Sequence, residues 1–233
     1  MNGVWCFNGN TNEACVLAGA GFDWICFDAQ HGEFDRPQLI ETMRSLRSPA
    51  ASVAVRVPSV DSAWIGFALD VGAATVIVPL VESADEALRA VRASKYPPLG
   101  RRSWGQFAPL WGGDVVEPAD IQSRSCCALM IESDEGLANV EEIAAVPGAD
   151  MLFVGPFDLA LSLGTTVDSL LADDFDGSPL TRIADAANRN GLRLGAFAGD
   201  LKRAERFRER GFSFVAIATD RSLLAAGIRS VIG

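Results

Sequence analysis

The chain holds one histidine, His31, in the run Asp28-Ala29-Gln30-His31-Gly32. A single imidazole cannot build a zinc centre that needs two or three, so any acid/base work by imidazole falls on this residue. A lone histidine can equally be structural, and the sequence leaves both readings open. Lysine is almost as scarce. Lys95 and Lys202 are the only two, and both fall in or beside segments with helical spacing. Schiff-base chemistry therefore lacks a nucleophile, and an enzyme that acts on a carbonyl without one commonly uses a metal ion as its electron sink. Glu132 and Asp158 offer two hard oxygen ligands of the kind that hold Mg2+ or Mn2+ with water and a chelating substrate. The plainer alternative is a pair of surface or capping carboxylates. Arg56, inside Val-Ala-Val-Arg-Val-Pro, can grip a carboxylate or an enolate oxygen, and it can also pair with Asp28. The two roles are compatible. Asp70, near the end of a helical run, reads from its surroundings alone as a solvated helix residue.

These residues need elements to hold them. Apolar runs rich in β-branched residues predict strands over 4–7, 24–28, 52–57, 75–79, 128–132, 151–155, 193–198 and 214–218. Their apolar character is continuous and not alternating, as expected when both faces of a parallel sheet are covered. Helical spacing falls between them, over 12–20, 37–47, 62–71, 84–94, 136–145, 180–190 and 201–210, with a last helix over 222–231. Gly21, Gly72, Gly148, Gly191 and Gly211 stand just past helix ends, where a left-handed cap is favoured. Eight βα units without a Gly-rich phosphate loop predict an α/β fold of the closed (β/α)8 type. In such a barrel the active site gathers at the C-terminal ends of the strands, where Asp28, Gln30, His31, Arg56, Glu132 and Asp158 all fall. The segment 96–124, with its prolines, glycines, two tryptophans and Arg101-Arg102, is too long for a plain linker. It is expected to flank the site, or else to serve an oligomer contact.

Composition narrows the field further. A chain of 233 residues with 49% hydrophobic and 21% charged residues suits one folded domain, here taken as 1–233. A net charge of -10 and scattered arginines disfavour nucleic acid and anionic membrane surfaces as partners. No signal-like segment or membrane-length apolar run is present, so a cytoplasmic protein is expected. Five cysteines, several in apolar runs, suit reduced buried thiols; the vicinal Cys126-Cys127 lacks the spacing and accompanying ligands of a zinc knuckle.

Taken together, the motifs resemble the HpcH/HpaI aldolase family, the metal-dependent class II pyruvate aldolases of the 4-hydroxy-2-oxoheptane-1,7-dioate aldolase type. The resemblance spans nearly the whole chain. It rests on Gly21-Phe22-Asp23-Trp24 leading to Asp28-Ala29-Gln30-His31-Gly32, on Val55-Arg56-Val57-Pro58, and on Leu69-Asp70-Val71-Gly72-Ala73. It continues through Val78-Pro79-Leu80-Val81, Tyr96-Pro97-Pro98-Leu99-Gly100-Arg101-Arg102, Ile131-Glu132 and Val154-Gly155-Pro156-Phe157-Asp158-Leu159. The resemblance implies a barrel of the pyruvate/phosphoenolpyruvate type that cleaves a 4-hydroxy-2-oxo acid to pyruvate and an aldehyde, reversibly. It implies His31 as acid/base, Asp70 as its partner, Arg56 as enolate stabiliser, and Glu132 and Asp158 as ligands of Mg2+, Mn2+ or Co2+. Arg56, position 130, Phe157 and Asp158 would contact substrate. Trimers or hexamers with an exchanged C-terminal helix are also implied. Two positions depart from the pattern: Gln30 stands where many members carry Glu, and Met130 where many carry a substrate-binding Gln. Three other readings of the same site are a 2-dehydro-3-deoxy sugar acid aldolase, an oxaloacetate decarboxylase, and a non-catalytic protein that binds 2-oxo acids.

Overall fold

Runs too apolar to face water on either side become the staves of a closed barrel. In the computed structural model, which describes residues 1–46, 50–173 and 175–233, the strands are β1 (Asn2–Cys6), β2 (Trp24–Asp28), β3 (Ser52–Arg56), β4 (Thr75–Val78), β5 (Cys126–Ile131), β6 (Met151–Val154), β7 (Arg193–Phe197) and β8 (Phe214–Thr219). Each pairs in parallel with the next, and β1 pairs with β8 to close the ring. The predicted strands are all present, with ends that differ by a residue or two.

Residues alternate between two cores. Those pointing inward fill the barrel: Trp5, Trp24, Cys26, Ile77, Met130, Met151, Phe153 and Phe214 belong to one cluster. Those pointing outward meet the helices in a second, larger cluster that includes Ile25, Phe27, Val55, Leu129 and Leu152. At the base the rings of Trp24 and Phe214 stack 3.9 Å apart at 12°. Gly3 makes room for them, because a Cβ there would fall 2.0 Å from the Trp24 indole.

The helices follow the predicted rhythm: α1 (Thr11–Ala18), α2 (Arg36–Ser45), α3 (Ser62–Asp70), α4 (Ala84–Ser94), α5 (Pro118–Arg124), α6 (Asp134–Ala138), α7 (Val140–Ala144), α8 (Pro156–Ser162), α9 (Val167–Ala172), α10 (Pro179–Arg189), α11 (Leu201–Glu209) and α12 (Asp220–Ile232). Many start where a short polar side chain accepts a first-turn N–H, as Asn10, Asp35, Asp61, Ser83, Ser133 and Asp200 do, each cap contributing about 1 kcal/mol. All five glycines expected past helix ends have positive φ. The helix expected over 136–145 is two short ones, broken at Asn139, whose side chain donates to Glu82 O. The expected end of the second helix at Arg47 lies outside the described residues.

The segment 96–124 is less irregular than expected, since it contains a 3-10 turn at Ala108–Trp111 and α5. Its position also differs from the expectation. Helices of a (β/α)8 barrel run back against the strands, so a connection from α4 to β5 lies at the N-terminal end of the barrel. Its anchors hold it there: Arg101 N–H to Arg92 O, Arg102 N–H to Lys95 O and Phe107 N–H to Asp70 O. Within one chain it therefore sits at the end opposite the strand termini that carry His31 and Arg56.

Candidate active site

Asp28 is the organising residue at the C-terminal mouth. It ends β2 fully buried, and a buried carboxylate needs partners. Arg56, aligned with it on β3, donates from Nε to Oδ1 at 3.0 Å and from Nη2 to Oδ2. Trp5 Nε1 donates to Oδ2 at 3.0 Å, while Gln30 N–H and His31 N–H donate to Oδ1 at 2.9 and 3.1 Å. Burial opposes the charge on Asp28, but the Arg56 hydrogen bonds and charge, the Trp5 bond and the His31 N–H outweigh it, leaving the carboxyl below its ordinary range. The network pins the backbone of His31 while its ring stands exposed at the mouth.

A cavity of about 190 Å³ opens there, lined by Trp5, Phe7, His31, Arg56, Met130, Gly155, Pro156, Phe157, Asp158 and Phe197. Five residues singled out from the sequence, His31, Arg56, Met130, Phe157 and Asp158, meet around it. No lysine is among the described residues lining it. The Arg56 guanidinium also stands 5.2 Å from the Trp5 ring, which with Asp28 fixes its orientation.

Glu132 follows β5 and is buried beside this cavity. Its Oε1 accepts the Leu80 N–H at 2.9 Å. Leu80 holds φ at +50°, the sole positive φ outside glycine among the described residues, so the backbone carries strain where it meets this carboxylate. Burial pushes Glu132 up to about 7, despite the Leu80 N–H and the Arg56 charge, and Asp158 and Asp28 add to the rise. Gly155 is forced by the same crowding: a Cβ there would fall 2.5 Å from Glu132 Oε2 and 2.6 Å from Met130 Cε. A buried carboxylate pushed up by burial and by a neighbouring Asp158 suits a dication, which would reverse the cost of charging Glu132. Among the described residues no group of three or more His, Cys, Asp and Glu is placed to hold a metal ion, so these two would leave most positions to water and substrate.

Asp70 is not brought to His31 within the chain. It is the last residue of α3, at the N-terminal end of the barrel, where Arg102 Nη2 donates to its Oδ1 at 2.7 Å. Burial raises its pKa, against the hydrogen bond and charge of Arg102. All five cysteines are free, and burial pushes the thiols of Cys126 and Cys127 up to about 11 and about 12, which makes them inert.

Residues 2–226 match the family described as HpcH/HpaI aldolase/citrate lyase. The chain belongs to that family. Among HpcH/HpaI relatives, a hydroxypyruvate/pyruvate aldolase of Paraburkholderia phytofirmans is 40% identical, over 94% of this chain and 86% of that protein. A 4-hydroxy-2-oxovalerate aldolase of Novosphingobium aromaticivorans is 37% identical over 97% of this chain and 86% of its own length. The crystal structure of an HpcH/HpaI aldolase/citrate lyase family protein from Burkholderia cenocepacia superposes with a TM-score of 0.87 at 31% identity, covering 100% of this chain and 93% of that one. The HpcH/HpaI chain described here is thus an aldolase-family lyase on a closed barrel. No helix among its described residues is long and apolar enough to cross a membrane.

Sequence reasoning passed over Trp5, Phe7 and Phe197, which wall the cavity, because the search for strand-end residues admitted only polar ones. Relaxing it to aromatic residues would have found Phe7 and Phe197, at or just past the ends of β1 and β7. The Leu80 N–H had no such signal, since a backbone conformation near +50° in a leucine cannot be read from residue type.

Proposed function

We propose that the chain is a divalent-metal-dependent aldolase that cleaves a 4-hydroxy-2-oxo acid to pyruvate and an aldehyde and runs the addition in reverse. The observation that carries this reading is the meeting of His31, Arg56 and Asp158 around one cavity beside Glu132, with no lysine on its walls. Glu132 and Asp158 would hold Mg2+, Mn2+ or Co2+. The ion would act as a Lewis acid toward the 2-oxo acid.

His31, exposed at the mouth, takes the proton from the 4-hydroxyl as the bond between carbons 3 and 4 breaks. Arg56 has given Nε and Nη2 to Asp28, and its Nη1, without a partner among the described residues, faces the enolate oxygen. Met130 and the aromatic walls, Phe157 among them, keep bulk water from the enolate, and the proton that His31 took from the hydroxyl is returned to carbon 3 to give pyruvate. The name of the Paraburkholderia relative supports hydroxypyruvate as a second nucleophile on the same site.

If Asp70 serves His31 as the family pattern implies, it does so from a second copy, because one chain holds the two at opposite ends of its barrel. A homotrimer or homohexamer would permit this. Exposed Leu224, Ile228, Val231 and Ile232 on α12, and Leu99, Trp104 and Leu110 in 96–124, support such an assembly. In the single chain α12 packs on its own β1 and β8, and its exchange between copies is part of the same proposal.

The test is aldol synthesis from pyruvate and a panel of aldehydes with each metal. EDTA should abolish product and added Mg2+, Mn2+ or Co2+ should restore it. Full activity in EDTA, or borohydride trapping of a pyruvate adduct on the protein, would overturn the reading.

A further inference from the structure

The loop that follows β4 holds a conformation that its side chains do not require. Leu80 stands at a φ of +50°, in the left-handed region that a residue with a Cβ enters only at a cost. Burial is not the reason, since the Leu80 side chain is 49% exposed. The main chain supplies one. Three successive N–H groups of the loop are each committed: Leu80 donates to Glu132 Oε1 at 2.9 Å, Val81 to Met130 O at 3.2 Å and Glu82 to Glu86 Oε2 at 2.9 Å. From the other side Asn139 Nδ2 donates to Glu82 O at 2.7 Å, and α6 packs so closely that a Cβ on Gly136 would fall 2.8 Å from Val81 O. A strained residue persists where its surroundings over-determine it, and here they do.

The contact that this conformation secures is with Glu132. The Val81 bond fixes the loop to β5 two residues before Glu132, and the left-handed turn at Leu80 aims its own N–H at that carboxylate. The two Glu132 oxygens are thereby made unequal. Oε1 is taken by the main chain, whereas Oε2 accepts nothing from the described residues and lies against Gly155, which lines the cavity. A carboxylate free to turn could offer an ion either oxygen or both; this one is held to a single choice.

We propose that Leu80 is a positioning residue: its main-chain N–H, braced by the loop around it, fixes Oε1 of Glu132 so that Oε2 alone is presented to a divalent ion in the cavity. The inference rests on the reading of Glu132 as a metal ligand and adds the group that sets its orientation. Partners of this kind tune the affinity of a metal site without touching the metal.

The test is calorimetric titration of Mn2+ into the intact chain, which needs no turnover. Replacing the Leu80 amide by an ester, through ribosomal incorporation of 2-hydroxy-4-methylpentanoic acid at that position, removes the N–H and keeps the side chain. Affinity should fall about tenfold or more, as when the partner of a metal ligand is lost. Leu80→Ala, which keeps the N–H, should bind nearly as the parent does. In Glu132→Gln the ester should cause no further loss, because the N–H then has no ligand to orient. Asn139→Ala, which releases Glu82 O and so loosens the loop, should lower affinity roughly threefold or more. Parental affinity in the ester protein, an equal loss in Leu80→Ala, or the same loss in the Glu132→Gln background overturns the positioning role. Should the ester protein fail to fold, Asn139→Ala decides, and parental affinity there is the overturning result. If Glu132→Gln itself binds Mn2+ as the parent does, the metal reading of Glu132 fails and takes the proposal with it, whereas a loss in Glu132→Gln without one in the ester protein removes only Leu80.

Discussion

Arg56 grips Asp28 with Nε and Nη2, so the same residue that could stabilise an enolate is also the counter-ion of the most buried carboxylate at the barrel mouth. Removing one member of such a pair leaves the other charged and without compensation. Asp28→Asn should therefore lower stability by roughly 3 kcal/mol, the lower end of what breaking a buried pair costs, and should free the Trp5 indole and the His31 loop. Urea denaturation of the variant checks this. An unchanged midpoint would mean that Arg56 finds another partner.

The same pair sets an acid limit. The Asp28 carboxyl is held below its ordinary value in the fold, so its contribution is complete above about 4, the unfolded value. It is lost as pH falls through the lower folded value. Stability between pH 5 and 2 should drop less steeply in Asp28→Asn than in the parental protein.

Glu132 behaves in the opposite sense. With its pKa raised from 4.5 to about 7, the metal-free fold binds a proton that the unfolded chain has released, so stability falls as pH rises through that window. At pH 8 without metal, Glu132→Gln should be more stable than the parent by on the order of 2 kcal/mol. Metal affinity should rise between pH 6 and 8, since the ion competes with that proton. Thermal melts with EDTA and calorimetric titrations of Mn2+ at three pH values read both effects, and a pH-independent affinity would remove Glu132 from the metal site.

Gly155 tests the crowding directly. Gly155→Ala places a methyl group against Glu132 Oε2 and Met130 Cε. The variant should fold, because the clash is with side chains at the mouth, while Mn2+ affinity falls at least tenfold. Parental affinity would show that Glu132 can move aside without cost.

His31 and Asp70 can be separated by mixing. Asp70→Asn and His31→Ala should each lower the cleavage rate by about 10²–10⁴-fold, the range typical of general acid-base catalysis. If the two act between copies, co-refolding the variants should restore activity, because some sites then combine an intact His31 with an intact Asp70. A mixture no more active than its components would make Asp70 the structural partner of Arg102 and nothing more.

How legible was this in the sequence? The eight strands were, because strands covered on both faces leave uninterrupted apolar runs such as 24–28 and 151–155. Short helices were not: α8 and α9 are too brief for a helical period to declare itself, and the break at Asn139 leaves the apolar pattern of 134–144 intact. That His31, Arg56 and Asp158 would gather at one end of the barrel, with Glu132 beside them, could be read from strand-end position. Asp70 could not, since its α3 position lies at the other end of the barrel, and only the resemblance singled it out. The location of 96–124 followed from topology, a rule about α-to-β connections that a search for long functional loops does not apply.

The pairing of β1 with β8 also has a meaning for how the molecule is made. Val215 N–H bonds to Met1 O, and the Met1 amino group to Ser213 O, across 212 residues of sequence. During synthesis β1 gains β2 as a neighbour early, but its other edge stays bare until β8 has been made. Contacts of such long separation form late. Until then the growing sheet keeps an unsatisfied edge along β1, vulnerable to pairing with another chain. The Asp220 carboxylate, which arrives directly after β8 and fastens onto the N–H groups of Phe7 and Asn8, acts as the latch that ends this exposure.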